Sequence, residues 1–325
     1  MTRWLRERWV VVVGVVALVA LVIFVHPAQV ASALARADPV MLALMLPTVL
    51  VLYLVHGLAW WVALRGAGIE ISVWRAVAIT FVSQTFTYLP GGDLWRVPLV
   101  ETGSRTRVEV GAVTGTVVFD DLVYFVVLTM AMVPAAVQAP LLFTGVGVTL
   151  LPQTVIFTIL LWPRLYHALA GLVTRLGPLR RFEPQLQLLG PSFRRLIRPR
   201  TLIPVVLLDL VASVLAIALF ALALRGVRAE TVSLGRIAFT YSLGQVGSSL
   251  TVLPAALGAY EGLMTGLIAA QGVPAAMAAL AALLYRGFND ILMAVVGFAL
   301  ALLMRRAQRR HDRRPTAHAT ETGPG

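Results

Sequence analysis

The sequence contains no cysteine and no lysine among its 325 residues, and only 13% of its residues are charged. The missing cysteine excludes disulfides, thiolate metal sites and cysteine nucleophiles. About a quarter of the residues in a soluble domain are charged, so this chain has too few charges to cover a soluble surface. Because 59% of the residues are hydrophobic, in runs longer than barrel strands, we predict an all-α, polytopic membrane protein.

Several motifs of catalysis and nucleotide binding are also missing. The chain has no glycine-rich nucleotide loop, which argues against an ATP-driven pump, and no Gly-x-Ser-x-Gly or His-Glu-x-x-His motif. Asp120 and Asp121 resemble the acidic pair of some glycosyltransferases, but neighbours on a helix point about 100° apart and are poorly placed to chelate one ion. We therefore expect no cofactor, no metal site and no enzymatic activity.

Arginine supplies every basic residue and gives the chain a formal net charge of +12. Residues 164–200 hold eight arginines and one acid, Glu183, and residues 305–314 add six arginines. This clustering at the ends of apolar runs follows the positive-inside rule and argues against a nucleic-acid partner. We predict that residues 164–200 form a cytoplasmic loop with an amphipathic helix on the membrane surface, and that residues 305–325 are a disordered cytoplasmic tail. The loop could anchor the topology or recruit anionic lipids.

Six apolar runs are predicted to cross the membrane within a single domain of residues 1–304: residues 10–25, 40–64, 110–133, 141–162, 202–224 and 274–304. An uncharged turn is expected at residues 134–140. The first run is interpreted as an anchor with a cytoplasmic N-terminus, although a cleaved signal peptide is an alternative.

Two further apolar runs are broken by proline. Residues 76–89 end at Pro90, Gly91 and Gly92, and residues 236–253 end at Pro254. The first would be roughly 21 Å long as a helix, short of the roughly 30 Å hydrocarbon core. If both runs crossed fully, the loop with eight arginines would lie outside the cell, against the positive-inside rule.

The arginine distribution instead predicts six full transmembrane helices plus two re-entrant helical hairpins, the first entering from the cytoplasm and the second from outside. Both termini are then cytoplasmic, in the cell membrane. Each hairpin lies between two crossings, so we predict an inverted repeat of residues about 40–134 and 201–304. Both broken runs open with Ser-x-x-Arg and close with Thr-x-Leu-Pro.

Helix ends inside the bilayer require protein or water around them, so two opposed breaks predict a polar cavity near the midplane. We predict that Arg96 and Arg286 bind an anionic headgroup, since the guanidinium fork matches phosphate. Their partners, or proton carriers, would be Asp93, Asp120 and Glu261. The predicted binding set comprises Arg96, Arg286, Asp93, Glu261, Asp120, Asp121, Asp290, Pro90, Gly91, Gly92, Pro254 and Gly258. These ions could alternatively serve only to hold the hairpins together.

These motifs resemble the flippase-like membrane region of bacterial lysylphosphatidylglycerol synthases and their stand-alone relatives, over residues of about 10–304. The similar features are Leu89-Pro90-Gly91-Gly92 before Asp93-Leu94-Trp95-Arg96, Asp120, Leu253-Pro254 with Gly258 and Glu261, and Arg286. The chain departs from the family in a shorter first turn, in Asp121 where the family has arginine, and in Ala255-Ala256 where glycine is common.

The resemblance implies movement of a lipid headgroup between leaflets: an aminoacylated phospholipid, a glycolipid or a polyprenyl-linked sugar. Only a short tail follows Met304, so we do not expect aminoacyl transfer. Transport would use a gradient, proton coupling at Glu261 or Asp120, or no energy source. The alternatives are an integral enzyme that uses a lipid-linked sugar and a non-catalytic subunit of a cell-envelope synthase. The expected partners are a membrane phospholipid or lipid-linked sugar, with a second copy of the chain or an envelope-synthesis enzyme as further possibilities.

Overall fold

The computed structural model of the chain describes residues 32, 35–86, 92–101, 109–175, 180, 183–229, 232–249, 256 and 258–312, without the side chains of residues 92, 93, 101 and 304–312. The expected first crossing, Pro90, Gly91, Pro254 and the tail from residue 313 lie outside the described residues.

All regular structure in the described ranges is helical. The α-helices are α1 (Pro39–Gly66), α2 (Val73–Ser83), α3 (Arg96–Glu101), α4 (Val110–Gln138), α5 (Phe143–Leu161), α6 (Pro163–Arg175), α7 (Glu183–Leu196), α8 (Pro199–Gly226), α9 (Leu234–Ser249), α10 (Ala259–Ala269), α11 (Ala275–Arg286) and α12 (Met293–Asp312). Short 3₁₀ turns lie at Gln84–Phe86, Gly92–Trp95 and Pro140–Leu142, and a π-helix at Gly287–Leu292 joins α11 to α12.

Five spans in the described part of the chain are long and apolar enough to cross a membrane: Pro39–Gly66, Val110–Gln138, Pro140–Leu161, Pro199–Gly226 and Ala275–Leu303. Large apolar side chains on their outer faces are exposed, such as Leu207 and Val214 of α8. A lipid environment tolerates such faces, whereas water does not. The prediction of an all-α polytopic membrane protein is confirmed at this level.

Two local predictions are wrong. Residues 134–140 are not a turn, because α4 continues through Pro134 to Gln138 and only Ala139 leaves the helix. A proline removes one helical hydrogen bond, and the buried packing of Ala135 and Ala136 against Phe239 holds the helix together beyond it. The basic loop contains two helices, α6 and α7, rather than one.

The two central helices, α1 and α8, run antiparallel along their full length. The backbone N–H of Asp38 donates to the carbonyl of Gly226 at 2.8 Å, which joins the start of α1 to the end of α8. At the other end, a Cβ on Gly66 would lie 2.6 Å from Oγ1 of Thr201, so only glycine allows this approach. Their shared interface forms the centre of the largest apolar core.

One end of the bundle is built around the arginine-rich helices α6 and α7, and we call it the arginine-rich end. Gly66, which ends α1, lies against Leu196 of α7. Gly111, at the start of α4, lies against α7 too, where a Cβ would be 2.5 Å from the carbonyl oxygen of Gln185. Gly66 and Gly111, on either side of the first broken run, therefore both lie at this end.

Helices α9 and α10 pack together at the opposite end of the bundle. Gly235, at the start of α9, lies beside Ala135 near the end of α4. After α10, the Gln271 side chain donates to Oγ1 of Thr240 at 2.7 Å, two turns into α9. The limbs α9 and α10 are closely packed, as at Gly247 against Leu263. The residues that follow α10 therefore lie beside the first half of α9.

Each broken segment packs against the last helix of the other half of the chain. In the first half, Thr85 Oγ1 donates to the carbonyl of Ala294 at 3.2 Å, and Gly297 of α12 presses on the backbone of Phe81. In the second half, α9 packs along α4, where the hydroxyls of Tyr241 and Tyr124 lie 3.3 Å apart. This exchange of partners holds the two halves in one bundle.

Candidate functional site

Arg96 is buried where α1, α2 and α4 meet. It begins α3 just after the first break, with only 6% of its surface exposed. Its Nη1 lies 3.5 Å from Oδ2 of Asp120, and its Nε donates to Oγ of Ser83 at 3.4 Å. The guanidinium carbon lies 5.3 Å from the centre of the Trp60 ring, which is itself held by a hydrogen bond from Nε1 to Thr116. A carboxylate and an aromatic face thus compensate the buried cation.

Arg286 lies in a second buried cluster beyond the other break. Its Nη1 contacts Oε1 of Glu261 at 2.5 Å, and its Nε lies 3.0 Å from Oδ2 of Asp290. The guanidinium carbon lies 5.5 Å from the centre of the Tyr260 ring. Asn289 donates to the other oxygen of Asp290 at 2.8 Å. Two carboxylates and a ring therefore surround one cation, and an amide binds one of the carboxylates.

The start of α10 fixes the position of Glu261. Its second carboxylate oxygen accepts the backbone N–H of Gly258 at 2.8 Å, so Glu261 caps the helix and binds Arg286 at once. Gly258 has φ of 78°, a conformation that favours glycine. Ala256, two residues earlier, has φ of 50°, although alanine avoids this region. Ala256 is one of the two alanines that stand where the family commonly has glycine, and its backbone conformation is one that glycine adopts more easily.

The two clusters repeat one plan with the charges exchanged. Arg96 pairs with an acid 24 residues later in the following long helix, and Glu261 pairs with a base 25 residues later in the following helix. The cation lies over an aromatic ring in both clusters. The first residue of each pair lies just after a proline break, and its partner lies in the next apolar span.

A chain of tyrosine hydroxyls connects the two halves. Tyr124 lies one turn beyond Asp120 on α4, and its hydroxyl is 3.3 Å from that of Tyr241. Tyr241 in turn lies 2.9 Å from the hydroxyl of Tyr285, the residue before Arg286. Buried hydroxyls in an apolar bundle need such partners, so this chain specifies how α4, α9 and α11 pack.

The π-helix after Arg286 shapes the second cluster. Its wide turn carries Asn289 and Asp290, and the carbonyl of Asn289 accepts a hydrogen bond from the hydroxyl of Tyr53 at 3.0 Å. Irregular backbone of this kind often marks functional sites in helical proteins. An open groove of about 330 Å³ lies beside it, with an almost entirely apolar lining: Leu280, Leu283, Leu284, Gly287, Phe288 and Leu292.

The structure places five of the twelve residues predicted for the site in ion pairs. Asp120 with Arg96, and Glu261 and Asp290 with Arg286, form the two clusters. Asp121 is half-buried beside Asp120. Gly92 begins the 3₁₀ turn that also contains Asp93, whose side chain lies outside the described residues, as do Pro90, Gly91 and Pro254.

Sequence reasoning missed the roles of Trp60, Tyr241, Tyr285 and Asp209. The available signal was that each of these residues carries a polar group inside an apolar run. The sequence does not show which distant helix each of them faces. Asp209 of α8 is completely buried and lies within electrostatic range of Asp120 and Asp121. No group of acids and histidines among the described residues is arranged to hold a metal ion.

The sequence model of the lysylphosphatidylglycerol synthase TM region matches residues 9–312. The chain belongs to this family. No curated protein sequence matches the chain. Membership places the two clusters in a membrane domain with a lipid-related role.

Proposed function

We propose that this family member is a lipid flippase or transporter that moves an anionic or glycosylated lipid headgroup between the leaflets of the cell membrane. The observation that carries the proposal is the pair of buried clusters of exchanged polarity, Arg96 with Asp120 and Arg286 with Glu261. Each lies beside a break in an apolar run, and the two broken runs approach from opposite ends of the bundle.

The proposed topology has six full crossings and two re-entrant hairpins in an inverted repeat, with both termini in the cytoplasm. The contacts of Gly66 and Gly111 with α7 support the first hairpin, and the Gln271–Thr240 hydrogen bond supports the second. The arginines of α6 and α7 favour a cytoplasmic location for that end. Inverted hairpins of this kind suit a site that opens to each side in turn.

The chemistry of the clusters suits a phosphate or another anionic headgroup. A headgroup that displaces Asp120 from Arg96, or Glu261 from Arg286, would accept the same guanidinium hydrogen bonds. Ion-pair exchange keeps each cation compensated, which matters because an unpaired charge at the bilayer centre costs at least about 2.5–3.5 kcal/mol. The same charge compensation would lower the free-energy barrier that a polar headgroup meets as it crosses the bilayer.

The apolar groove next to Arg286 suits the tail of such a lipid. It begins at Gly287, one residue beyond the guanidinium-bearing position, and leucine and phenylalanine form most of its wall. A polar site next to an apolar groove fits an amphipathic molecule better than a soluble sugar nucleotide. This neighbourhood favours transport of a lipid over chemistry on a water-soluble donor.

The topology can be tested with single cysteines, because the chain has none. Trp74, Leu141, Leu172 and Leu234 are well exposed near the ends of helices. We expect impermeant reagents to label Trp74→Cys and Leu172→Cys from the cytoplasm, and Leu141→Cys and Leu234→Cys from outside. If the first broken run crossed fully, Trp74→Cys and Leu172→Cys would be labelled from opposite sides.

The activity can be tested in vesicles reconstituted with the purified protein. We expect transfer of labelled phospholipid or lipid-linked sugar between leaflets, and loss of transfer in Arg96→Ala and Arg286→Ala. Arg236→Ala, on an exposed position of α9, is the matched control and should transfer lipid normally. Product formation without transfer would favour the enzyme, and neither activity would favour the role as a subunit of an envelope synthase.

A further inference from the structure

Asp209 is the most deeply buried acid that the ion pairs leave unexplained. It lies in the membrane-spanning helix α8 with 0% of its surface exposed. Within the described part of the chain, neither carboxyl oxygen has a hydrogen-bond partner. The same holds for the hydroxyl of Ser213, one helical turn further on. A polar pair in this position therefore has unused hydrogen-bonding capacity in the centre of the bundle.

The surroundings of Asp209 oppose a negative charge. Asp120 and Asp121 act on it with like charge, and Asp120 itself pairs with Arg96. The helices packed against α8 carry these charged and titratable side chains in buried or half-buried positions: Tyr53 and His56 of α1, Asp120, Asp121 and Tyr124 of α4, Tyr241 of α9, and Tyr285 and Arg286 of α11.

A buried, unpaired carboxylate next to two acids is far less stable than the neutral acid, because desolvation and like charge both favour protonation. We infer that Asp209 binds a proton in this conformation and that the binding and release of this proton couple the proposed lipid movement to a proton gradient. The inference rests on the proposed function. The chain has no nucleotide-binding motif that would indicate ATP as the energy source of that function.

The position of Asp209 links its proton to the headgroup clusters. Once the proton has left to water, the new negative charge repels Asp120, and this repulsion weakens the pair of Asp120 with Arg96. On the other side, Tyr124 lies within the electrostatic range of Asp209 and begins the hydroxyl chain toward Arg286. Loss of one proton at this acid thus changes the charge balance that both clusters depend on.

The protonated state is tested by infrared spectroscopy of the full chain in lipid nanodiscs. We expect a carbonyl band of a protonated carboxylic acid that Asp209→Asn removes. Asp38→Asn is the control, because Asp38 caps α1 at a half-buried position and asparagine is an equally good cap. Asp209→Leu serves as a second variant that also lacks the acid. A band that persists in both Asp209 variants would overturn the inference.

Coupling is tested in vesicles with an imposed pH gradient, with labelled phospholipid as the probe. A gradient of about one pH unit shifts a step coupled to one proton by about tenfold, so wild-type transfer should respond on that scale. Transfer by Asp209→Asn should be equal with and without the gradient. Gradient-dependent transfer by Asp209→Asn, or gradient-independent transfer by the wild type, would overturn the coupling. A wild type that moves no lipid would overturn the proposed function, and the infrared band would still decide whether Asp209 binds the proton.

Discussion

The cluster around Arg286 allows the energy of a buried ion pair to be predicted from its contacts. Arg286 and Glu261 are 5% and 1% exposed, and their charged atoms lie 2.5 Å apart. Removal of one partner of a buried pair costs about 3–5 kcal/mol, because the other charge is left uncompensated. Arg286→Met leaves both Glu261 and Asp290 without the cation, so we expect a loss near the upper limit.

Glu261→Gln should cost less, about 3 kcal/mol, because Arg286 keeps Asp290 at 3.0 Å. The double variant removes both charges, so the two losses should not add. Contacting residues show coupling energies of about 0.5–3 kcal/mol, and the short contact here places the expected value at about 2 kcal/mol. The longer Arg96–Asp120 contact, at 3.5 Å, should give a smaller coupling energy.

The free energy of unfolding can be measured by titration of detergent-solubilised protein with a denaturing detergent. Arg236→Met, on an exposed position, is the control and should stay within about 0.5 kcal/mol of the wild type. Losses below about 1 kcal/mol in both single variants, or additivity within about 0.5 kcal/mol in the double variant, would refute the view that this pair compensates buried charge.

Two further predictions concern backbone geometry and use the same unfolding measurement. Gly258→Ala should destabilise the protein by about 1–2 kcal/mol because its φ is 78°, whereas Ala256→Gly should stabilise it by about 1 kcal/mol because glycine relieves φ of 50°; equal effects in both variants would contradict this reasoning. Gly297→Ala should cost about 1–3 kcal/mol because its Cβ would overlap the carbonyl of Phe81. The control Gly262→Ala meets open space on α10 and should leave stability unchanged or raise it by up to about 1 kcal/mol.

The length and apolar composition of the runs predicted the membrane helices, because both properties are local. The sequence also predicted the break before Arg96 and the start of α10, since glycine and proline mark helix ends in the local sequence. The helix through Pro134 was not, because burial against Phe239 compensates the lost hydrogen bond, and that contact joins distant segments.

Partner choice within the site depends on packing that the sequence does not display. Arg96 contacts Asp120 on α4, 24 residues later, and no local motif in the sequence indicates this contact. The exchanged polarity of the two clusters becomes visible only when Glu261 and Arg286 are seen in contact. Asp209 carries no motif at all, and its importance comes from its burial and its neighbours.

The most direct test of the central claim is the mass spectrum of lipids that copurify with the protein. If Arg96 and Arg286 bind a headgroup, the wild type should retain one anionic or glycosylated lipid class that Arg96→Met and Arg286→Met both lose, while Arg236→Met keeps it. Retention of the same lipids by all four proteins, in folded form, would contradict the assignment of these clusters as a headgroup site.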